Sequence, residues 1–121
     1  MNWNLDKSRP VCPQICEQLC AHIAAGKFTP GERLLSVREV AVAAGVNPNT
    51  VQRAFEQLEH NGVLYSVRGA GWFVSADIGA AMDMRRSLAE TAVTEFFAKM
   101  AALGIEAEET KSIVKEYGSN V

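Results

Sequence analysis

Apolar residues recur at intervals of three and four positions in three successive segments of the chain, which predicts three amphipathic helices. The first helix is expected over residues 13–25, the second between the cap residue Ser36 and the terminating Gly45, and the third over residues 48–61. A glycine follows each of them, and glycine favours the left-handed backbone that ends a helix. The apolar rows are Val11, Ile15, Leu19 and Ile23; Val37, Val40, Ala41 and Ala44; and Val51, Ala54, Phe55 and Leu58.

Capping signals mark the starts of the second and third predicted helices. Ser36 and Glu39 have the spacing of a capping box, in which each side chain accepts a hydrogen bond from the backbone amide of the other. Asn47 is a favoured N-cap, and Pro48 follows at the first helical position, where its missing N–H costs nothing. Two short helices joined by a glycine-containing turn predict a helix-turn-helix.

Two β-prone stretches follow, over residues 63–67 and 72–75, and residues 68–71 (RGAG) lie between them. This pattern predicts a hairpin with a glycine-rich, positively charged tip. The glycines let the tip backbone approach a surface closely, and Arg68 offers a charge there. A helix-turn-helix followed directly by such a hairpin predicts a winged helix.

After Asp77 the pattern changes to a longer helix with an apolar band, which breaks at Gly104 and continues from Ile105 in a shorter amphipathic helix. This helix pair is too small to form an independent core. We expect the band to pack on a second copy of the chain, and the alternative is that it folds back on the winged domain. The candidate dimerisation residues are Leu88, Ala92, Phe96, Phe97, Met100, Leu103, Ile113 and Tyr117.

The charge of the chain is unevenly distributed. Its 121 residues carry a net charge of −2, which argues against a nonspecific polyanion binder. However, residues 1–75 carry 7 Lys/Arg and 6 Asp/Glu, whereas residues 76–121 carry 5 and 8. A few arginines in the first part are sufficient to dock a phosphate backbone. No apolar run is long enough for a bilayer and no export signal is present, so we expect a cytoplasmic, nucleoid-associated protein with no membrane partner.

The third predicted helix carries a polar stripe opposite its apolar row, formed by Asn49, Gln52, Arg53 and Glu56. Asn, Gln and Arg are the side chains that pair bidentately with base edges in a major groove. On its own, such a stripe is more often a solvated helix face. Its neighbours along the chain therefore decide between the two interpretations.

Three segments resemble the N-terminal domain of GntR-type bacterial transcription regulators: residues 31–41 (GERLLSVREVA), 45–59 (GVNPNTVQRAFEQLE) and 68–74 (RGAGWFV). The wording VNPNTV, with a short tail behind it, is most similar to the YtrA-like subfamily. Leu35 departs from the proline that the family usually has, which should loosen that turn. Trp72 replaces a smaller residue, which should change the packing of the wing or its contact with DNA.

The resemblance implies a winged helix-turn-helix that binds duplex DNA. Arg38 would reach a phosphate or a guanine edge, the third helix would enter the major groove, and the wing would lie in or along the minor groove. Asn47 counts less as a base contact because it is also a cap, and Glu56 is expected to be solvated. The candidate DNA-binding residues are Arg38, Asn47, Asn49, Thr50, Gln52, Arg53, Arg68, Gly69 and Gly71.

The resemblance further implies a homodimeric repressor that occupies a pseudo-palindromic operator, with a transport operon that includes its own gene as the target. The expected fold is mainly α with a small β-hairpin wing (α+β). Residues 1–76 would form the winged DNA-binding domain and residues 77–121 the helical dimerisation tail. No catalytic constellation, metal-ligand cluster or large effector domain is recognisable in the sequence. We therefore expect a non-enzymatic protein with no cofactor, and no effector is identified.

Two alternatives remain. Cys12, Cys16 and Cys20 lie four residues apart on one face of the first helix, so they cannot be bridged to one another, and their spacing matches no standard metal site. We expect reduced packing residues there. The first alternative is a thiol- or metal-responsive regulator that uses these cysteines. The second is a winged helix that serves as a protein-interaction module, since a fold does not determine a function.

Overall fold

The computed structural model describes every residue from Met1 to Val121 and divides into two compact units, Met1–Arg86 and Ser87–Val121. It contains five helices and one antiparallel hairpin, so the predicted class, mainly α with a small β wing, is confirmed. The elements are α1 (Val11–Ala24), α2 (Val37–Ala44), α3 (Pro48–His60), β1 (Leu64–Val67), β2 (Gly71–Val74), α4 (Gly79–Ala102) and α5 (Ala107–Gly118).

Two predicted helix boundaries differ from the structure. The first helix begins at Val11, because a proline is tolerated in the first turn of a helix and Pro13 therefore does not have to mark its start. The last helix begins at Ala107, after the N-cap residue Glu106, so Ile105 precedes it. The other predicted elements agree with the structure within a residue or two at each end.

The core of the first unit forms around α3, on which both α1 and α2 pack. The predicted inner row of α3 is fully buried, and Phe55 is 1% exposed. Phe55 also meets Trp72 of β2 edge to face, with ring centroids 5.5 Å apart. Trp72 therefore packs inward against the core.

The helix-turn-helix is built from the capping interactions that the sequence predicts. The Ser36 hydroxyl accepts from the Glu39 amide at 3.1 Å, and the Glu39 carboxylate accepts from the Ser36 amide at 3.2 Å. The capping box is thus complete although Leu35 stands before it. Gly45 ends α2 in the left-handed region, and the Asn47 side chain accepts from the Asn49 amide at 2.8 Å to start α3.

The wing has a third backbone segment that the sequence pattern did not predict. β1 pairs antiparallel with β2, from Leu64 opposite Val74 to Val67 opposite Gly71. On the other side of β2, the Leu34 amide donates to the Trp72 carbonyl at 2.8 Å, and the Val74 amide donates to the Glu32 carbonyl at 2.8 Å. The chain before α2 therefore ties the wing to the helix-turn-helix.

The first unit continues past the wing into α4. Ala81 is 1% exposed and belongs to the core, with Ala80 and Met84 packed beside it. The compact unit consequently includes the first turns of α4. The predicted division assigns DNA binding to residues 1–76 and dimerisation to residues 77–121, and it stays a prediction.

The second unit buries almost none of its side chains. No hydrophobic residue after Ala81 is buried, and Thr110 is the one fully buried residue there. Its hydroxyl donates to the Glu106 carbonyl at 3.0 Å inside α5. The rings of Phe96 and Phe97 meet edge to face 5.9 Å apart. The exposed large apolar side chains of this unit include Val93, Phe96, Leu103, Ile113, Val114 and Tyr117.

Not one of the helices combines the length and the apolar character that a membrane-spanning helix needs.

Removing the capping box should destabilise the first unit. We expect Ser36→Ala to lower its free energy of unfolding by about 1 kcal/mol, because the Glu39 amide loses its acceptor at the start of α2. Urea unfolding followed by tryptophan fluorescence measures this unit alone, since Trp3 and Trp72 both lie in it. Ser112→Ala, in α5 of the second unit, is the matched control. Equal unfolding midpoints for the parent and Ser36→Ala would contradict the assigned cap.

Candidate nucleic-acid interface

The polar face of α3 is uncovered in this chain. Asn49 and Arg53 are exposed, and Thr50 and Gln52 are half-buried at the edge of the face. Burial of the opposite apolar row dictates this orientation, because residues three and four apart share one side of a helix. The predicted stripe therefore faces outward with its hydrogen-bonding groups accessible.

Asn47 and Gln52 are each partly engaged within the helix. The side-chain oxygen of Asn47, Oδ1, caps α3, which leaves the side-chain nitrogen, Nδ2, to donate outward. The Gln52 amide nitrogen donates to the Glu56 carboxylate at 2.8 Å, one turn further along. Glu56 thus holds the Gln52 side chain in one orientation, a contact that was not predicted from the sequence. The spacing of four residues between them was the signal that could have revealed it.

Arg38 lies beside the start of α3. Arg38 and the first residues of α3 line the same surface depression of about 300 Å³. Its lining residues are Arg38, Ala41, Val42, Gly45, Val46, Asn47 and Pro48. Lys7 of the N-terminal arm reaches the same turn, where its ammonium group donates to the Gly45 carbonyl at 2.8 Å. Lys7 could not be identified from the sequence, because the arm has no periodic pattern and the contact spans 38 positions.

A second depression flanks the other side of α3. This groove of about 500 Å³ lies between the start of α1 and the polar face of α3, and it is lined by Pro10, Val11, Cys12, Thr50, Arg53 and Gln57. The groove is therefore a concave surface on which two of the predicted DNA-binding residues, Thr50 and Arg53, lie together.

The wing tip combines two left-handed glycines with arginines. Gly69 has a φ of +81° and Gly71 a φ of +111°, which explains why glycine occupies both positions. Arg68 is exposed at the tip. Arg33, from the segment before α2, donates from Nε to the Ala70 carbonyl at 2.8 Å. Sequence reasoning missed Arg33, since only the folded chain brings it to the tip.

The three arginines that were predicted to bind DNA have no partner within the chain. Arg38, Arg53 and Arg68 form no salt bridge and no hydrogen bond within the chain. By contrast, Arg9 is paired with Asp6 at 3.2 Å. Because no internal carboxylate neutralises these three guanidinium groups, each can pair with an external anion without first breaking a contact.

The structure separates the three cysteines into two kinds. Cys16 and Cys20 are 1% and 0% exposed, and the Cys16 thiol donates to the Ala54 carbonyl at 3.6 Å. Burial, aided by the neighbouring Cys12 and Cys20, raises the pKa of the Cys16 thiol from 9.0 to about 12. Burial alone raises the pKa of Cys20 to about 11. Cys12 is half-buried in the groove beside Arg53. No group of three or more His, Cys, Asp or Glu side chains is placed to hold a metal ion.

These features define a winged helix-turn-helix protein with an outward-facing recognition helix. A sequence profile described as "Bacterial regulatory proteins, gntR family" matches residues 13–74. A similar relative is the uncharacterized HTH-type transcriptional regulator YhcF of Bacillus subtilis, 30% identical over 97% of this chain and 97% of that protein. The HTH-type transcriptional repressor YtrA of the same organism is 29% identical over 94% of this chain and 88% of its own length.

Solved structures give the same assignment. A GntR family transcriptional regulator from Listeria monocytogenes superposes with a TM-score of 0.72 at 35% identity, covering 93% of this chain and 98% of the other. The DNA-binding domain of AraR in complex with operator ORE1 superposes with a TM-score of 0.52 at 32% identity, covering 60% of this chain and 83% of that domain.

The chain therefore belongs to the GntR family of bacterial regulatory proteins. It is a DNA-binding transcriptional regulator, and the predicted similarity to YtrA-like proteins is confirmed. The expectation of a non-enzymatic protein is confirmed as well, because this is a family of transcription regulators and not of enzymes.

The cysteines should differ in reactivity. At pH 8 we expect iodoacetamide to modify Cys12 in the folded chain and to leave Cys16 and Cys20 unmodified, because burial keeps those two thiols protonated well above that pH. Peptide mass spectrometry identifies the alkylated positions, and the chain unfolded in urea, with all three accessible, is the control. Modification of Cys16 as fast as Cys12 would contradict the packing of α1.

The same shifts predict a stability change at high pH. An unfolded thiol ionises near pH 9.0, whereas the folded chain holds Cys20 protonated to about 11 and Cys16 to about 12. The free energy of unfolding should therefore decrease as pH rises from 9 towards 12. A Cys16→Ala/Cys20→Ala variant, measured by urea unfolding at pH 8 and pH 10, should lose less stability between the two pH values than the parent. An equal loss of stability in the variant and the parent would contradict the raised pKa values of Cys16 and Cys20.

Proposed function

We propose that this chain is a homodimeric repressor that binds a pseudo-palindromic operator through α3, Arg38 and the wing. The observation that carries the proposed interface is a set of three unpaired arginines: Arg53 on the exposed polar face of α3, Arg38 beside the start of α3, and Arg68 at the wing tip. A phosphate backbone recruits such cations by counterion release. This local positive charge compensates for the net charge of −2.

Each candidate residue takes a role from its surroundings. Asn49, Thr50, Gln52 and Arg53 face the major groove, with the Gln52 amide oriented by Glu56. Arg38 and Asn47 share one depression, which suits a backbone phosphate at the exposed start of α3. At the wing, Arg68 and Gly69 approach the minor groove, and Gly71 supports the tip conformation.

The second unit is proposed to form the dimer. Because no hydrophobic side chain between Ser87 and Val121 is buried, this unit gains little stability from its own core. The apolar residues Leu88, Ala92, Phe96, Phe97, Met100, Leu103, Ile113 and Tyr117 would become buried against the same residues of a second copy. Two copies would then present two recognition helices to the two half-sites of an operator.

Repression is the regulatory direction that we propose. YtrA of Bacillus subtilis, which aligns with most of this chain, is named a transcriptional repressor. The proposed dimer would repress by occupying its promoter. The proposed targets are a transport operon and the regulator's own gene, and the proposed location is the nucleoid, within the cytoplasm.

The recognition arginines should affect affinity and not folding. We expect Arg53→Ala or Arg38→Ala to weaken binding to a duplex selected by the parent chain by about 1–3 kcal/mol, because each variant loses a contact to DNA. Thermal melting should be nearly unchanged, since neither guanidinium has an internal partner. Lys27→Ala, which removes an exposed charge from the loop after α1, is the control. Unchanged affinity in both arginine variants would sink the proposed interface.

The apolar face of the second unit should control assembly. We expect Phe96→Glu with Leu103→Glu to convert the dimer to a monomer, because two carboxylates from each copy would have to be desolvated in the interface. Sedimentation equilibrium measures the mass, and Thr94→Glu on the same helix is the matched control. A double variant that remains dimeric would remove these residues from the interface.

A further inference from the structure

Arg33 connects the segment before α2 to the wing tip. Its Nε donates to the Ala70 carbonyl at 2.8 Å, across 37 positions of sequence. The backbone around it is also attached to the wing, because the Leu34 amide donates to the Trp72 carbonyl at 2.8 Å. The Arg33 side chain is therefore held at both ends, by the backbone bonds to β2 at its base and by the bond from Nε to Ala70 at its tip.

Gly71 makes room for the Arg33 guanidinium. A Cβ atom at Gly71 would lie 3.3 Å from Nε and 3.4 Å from Nη2 of Arg33, closer than such atoms normally approach. The φ of Gly71, +111°, also disfavours any side chain. The backbone conformation thus selects glycine here, and the missing side chain also lets the Arg33 guanidinium lie close against the tip backbone.

Most of the hydrogen-bonding capacity of Arg33 is unused. A guanidinium has five N–H donors, and the bond from Nε to Ala70 is the one that Arg33 makes. No carboxylate pairs with it. The adjacent Glu32 is turned away, since its carboxylate accepts from the Thr29 amide at 2.9 Å. Arg33 is exposed, so its Nη groups are available to an external anion.

We propose that Arg33 is a second DNA-contacting cation of the wing, whose Nη groups bind a backbone phosphate beside the groove that the tip enters. The bond to Ala70 holds the planar fork in one orientation before DNA arrives, so little side-chain entropy is lost on binding. The fork matches a phosphodiester, to which it donates two parallel hydrogen bonds. This inference rests on the proposed DNA contact of the wing, and it adds a residue to it.

Salt dependence separates a phosphate contact from a purely structural bond. Each phosphate that a protein neutralises contributes about 0.9 to the slope of log affinity against log salt. For the full chain and a duplex that it selects, we expect Arg33→Gln to bind roughly tenfold more weakly, with a slope reduced by about one. Lys27→Gln, which removes one positive charge elsewhere in the same unit, should keep the parent affinity and slope.

Arg33→Lys tests the fork. It keeps the charge but cannot donate from Nε to Ala70 or bind bidentately, so we expect a slope near that of the parent and an affinity still several-fold weaker. If Arg33→Gln lowers the melting temperature, the proposal is judged on Arg33→Lys instead. An affinity of Arg33→Lys equal to that of the parent would overturn the proposal. Weaker binding by a folded Arg33→Gln variant with an unchanged slope would make Arg33 a structural support only and would also overturn it.

Failure of the wider proposal has a different signature. If the parent chain selects no duplex, or binds one without steep salt dependence, both the operator interface and the role of Arg33 are wrong. If the parent binds steeply, Arg53→Ala weakens it and the Arg33 variants match the parent, only the role of Arg33 is wrong.

Discussion

Burial of the apolar row of α3 is the constraint on which the rest of the structure depends. Val51, Ala54, Phe55 and Leu58 are all at most 1% exposed. With this side of the helix packed against α1 and α2, the opposite side must face outward. The same packing orients the wing, because the Phe55 ring meets Trp72 of β2. One row of side chains therefore positions both surfaces that are proposed to contact DNA.

The two units divide the physical requirements of a regulator between them. The first unit has a complete core and leaves Arg38, Arg53 and Arg68 unpaired, so it is stable while these three charged groups remain available. The second has exposed apolar side chains and no buried ones, which suits a surface that a partner covers. In the proposed dimer, assembly and operator binding would be linked, since one copy offers only one recognition helix.

Local sequence signals predicted most of the fold. The capping box at Ser36, the Asn47 cap and the glycine after α2 all act within a few residues, and all appear in the structure. Residue pairs that are distant along the chain were not predicted. Lys7 reaches Gly45 and Arg33 reaches Ala70 across nearly forty positions, and no periodicity encodes such contacts. Glu56 is a different case, because its bond to Gln52 is local and was available from the spacing alone.

The sequence alone determined the order of the elements, the buried row and the polar face of α3, and the family. Those properties follow from side-chain polarity at helical and turn spacing, which is a local quantity. Only the tertiary structure decided which cations meet at the wing, that Trp72 packs inward, and that Cys16 and Cys20 are buried while Cys12 borders the groove beside Arg53. These depend on how separate elements approach one another, and that approach is set by packing of the whole core.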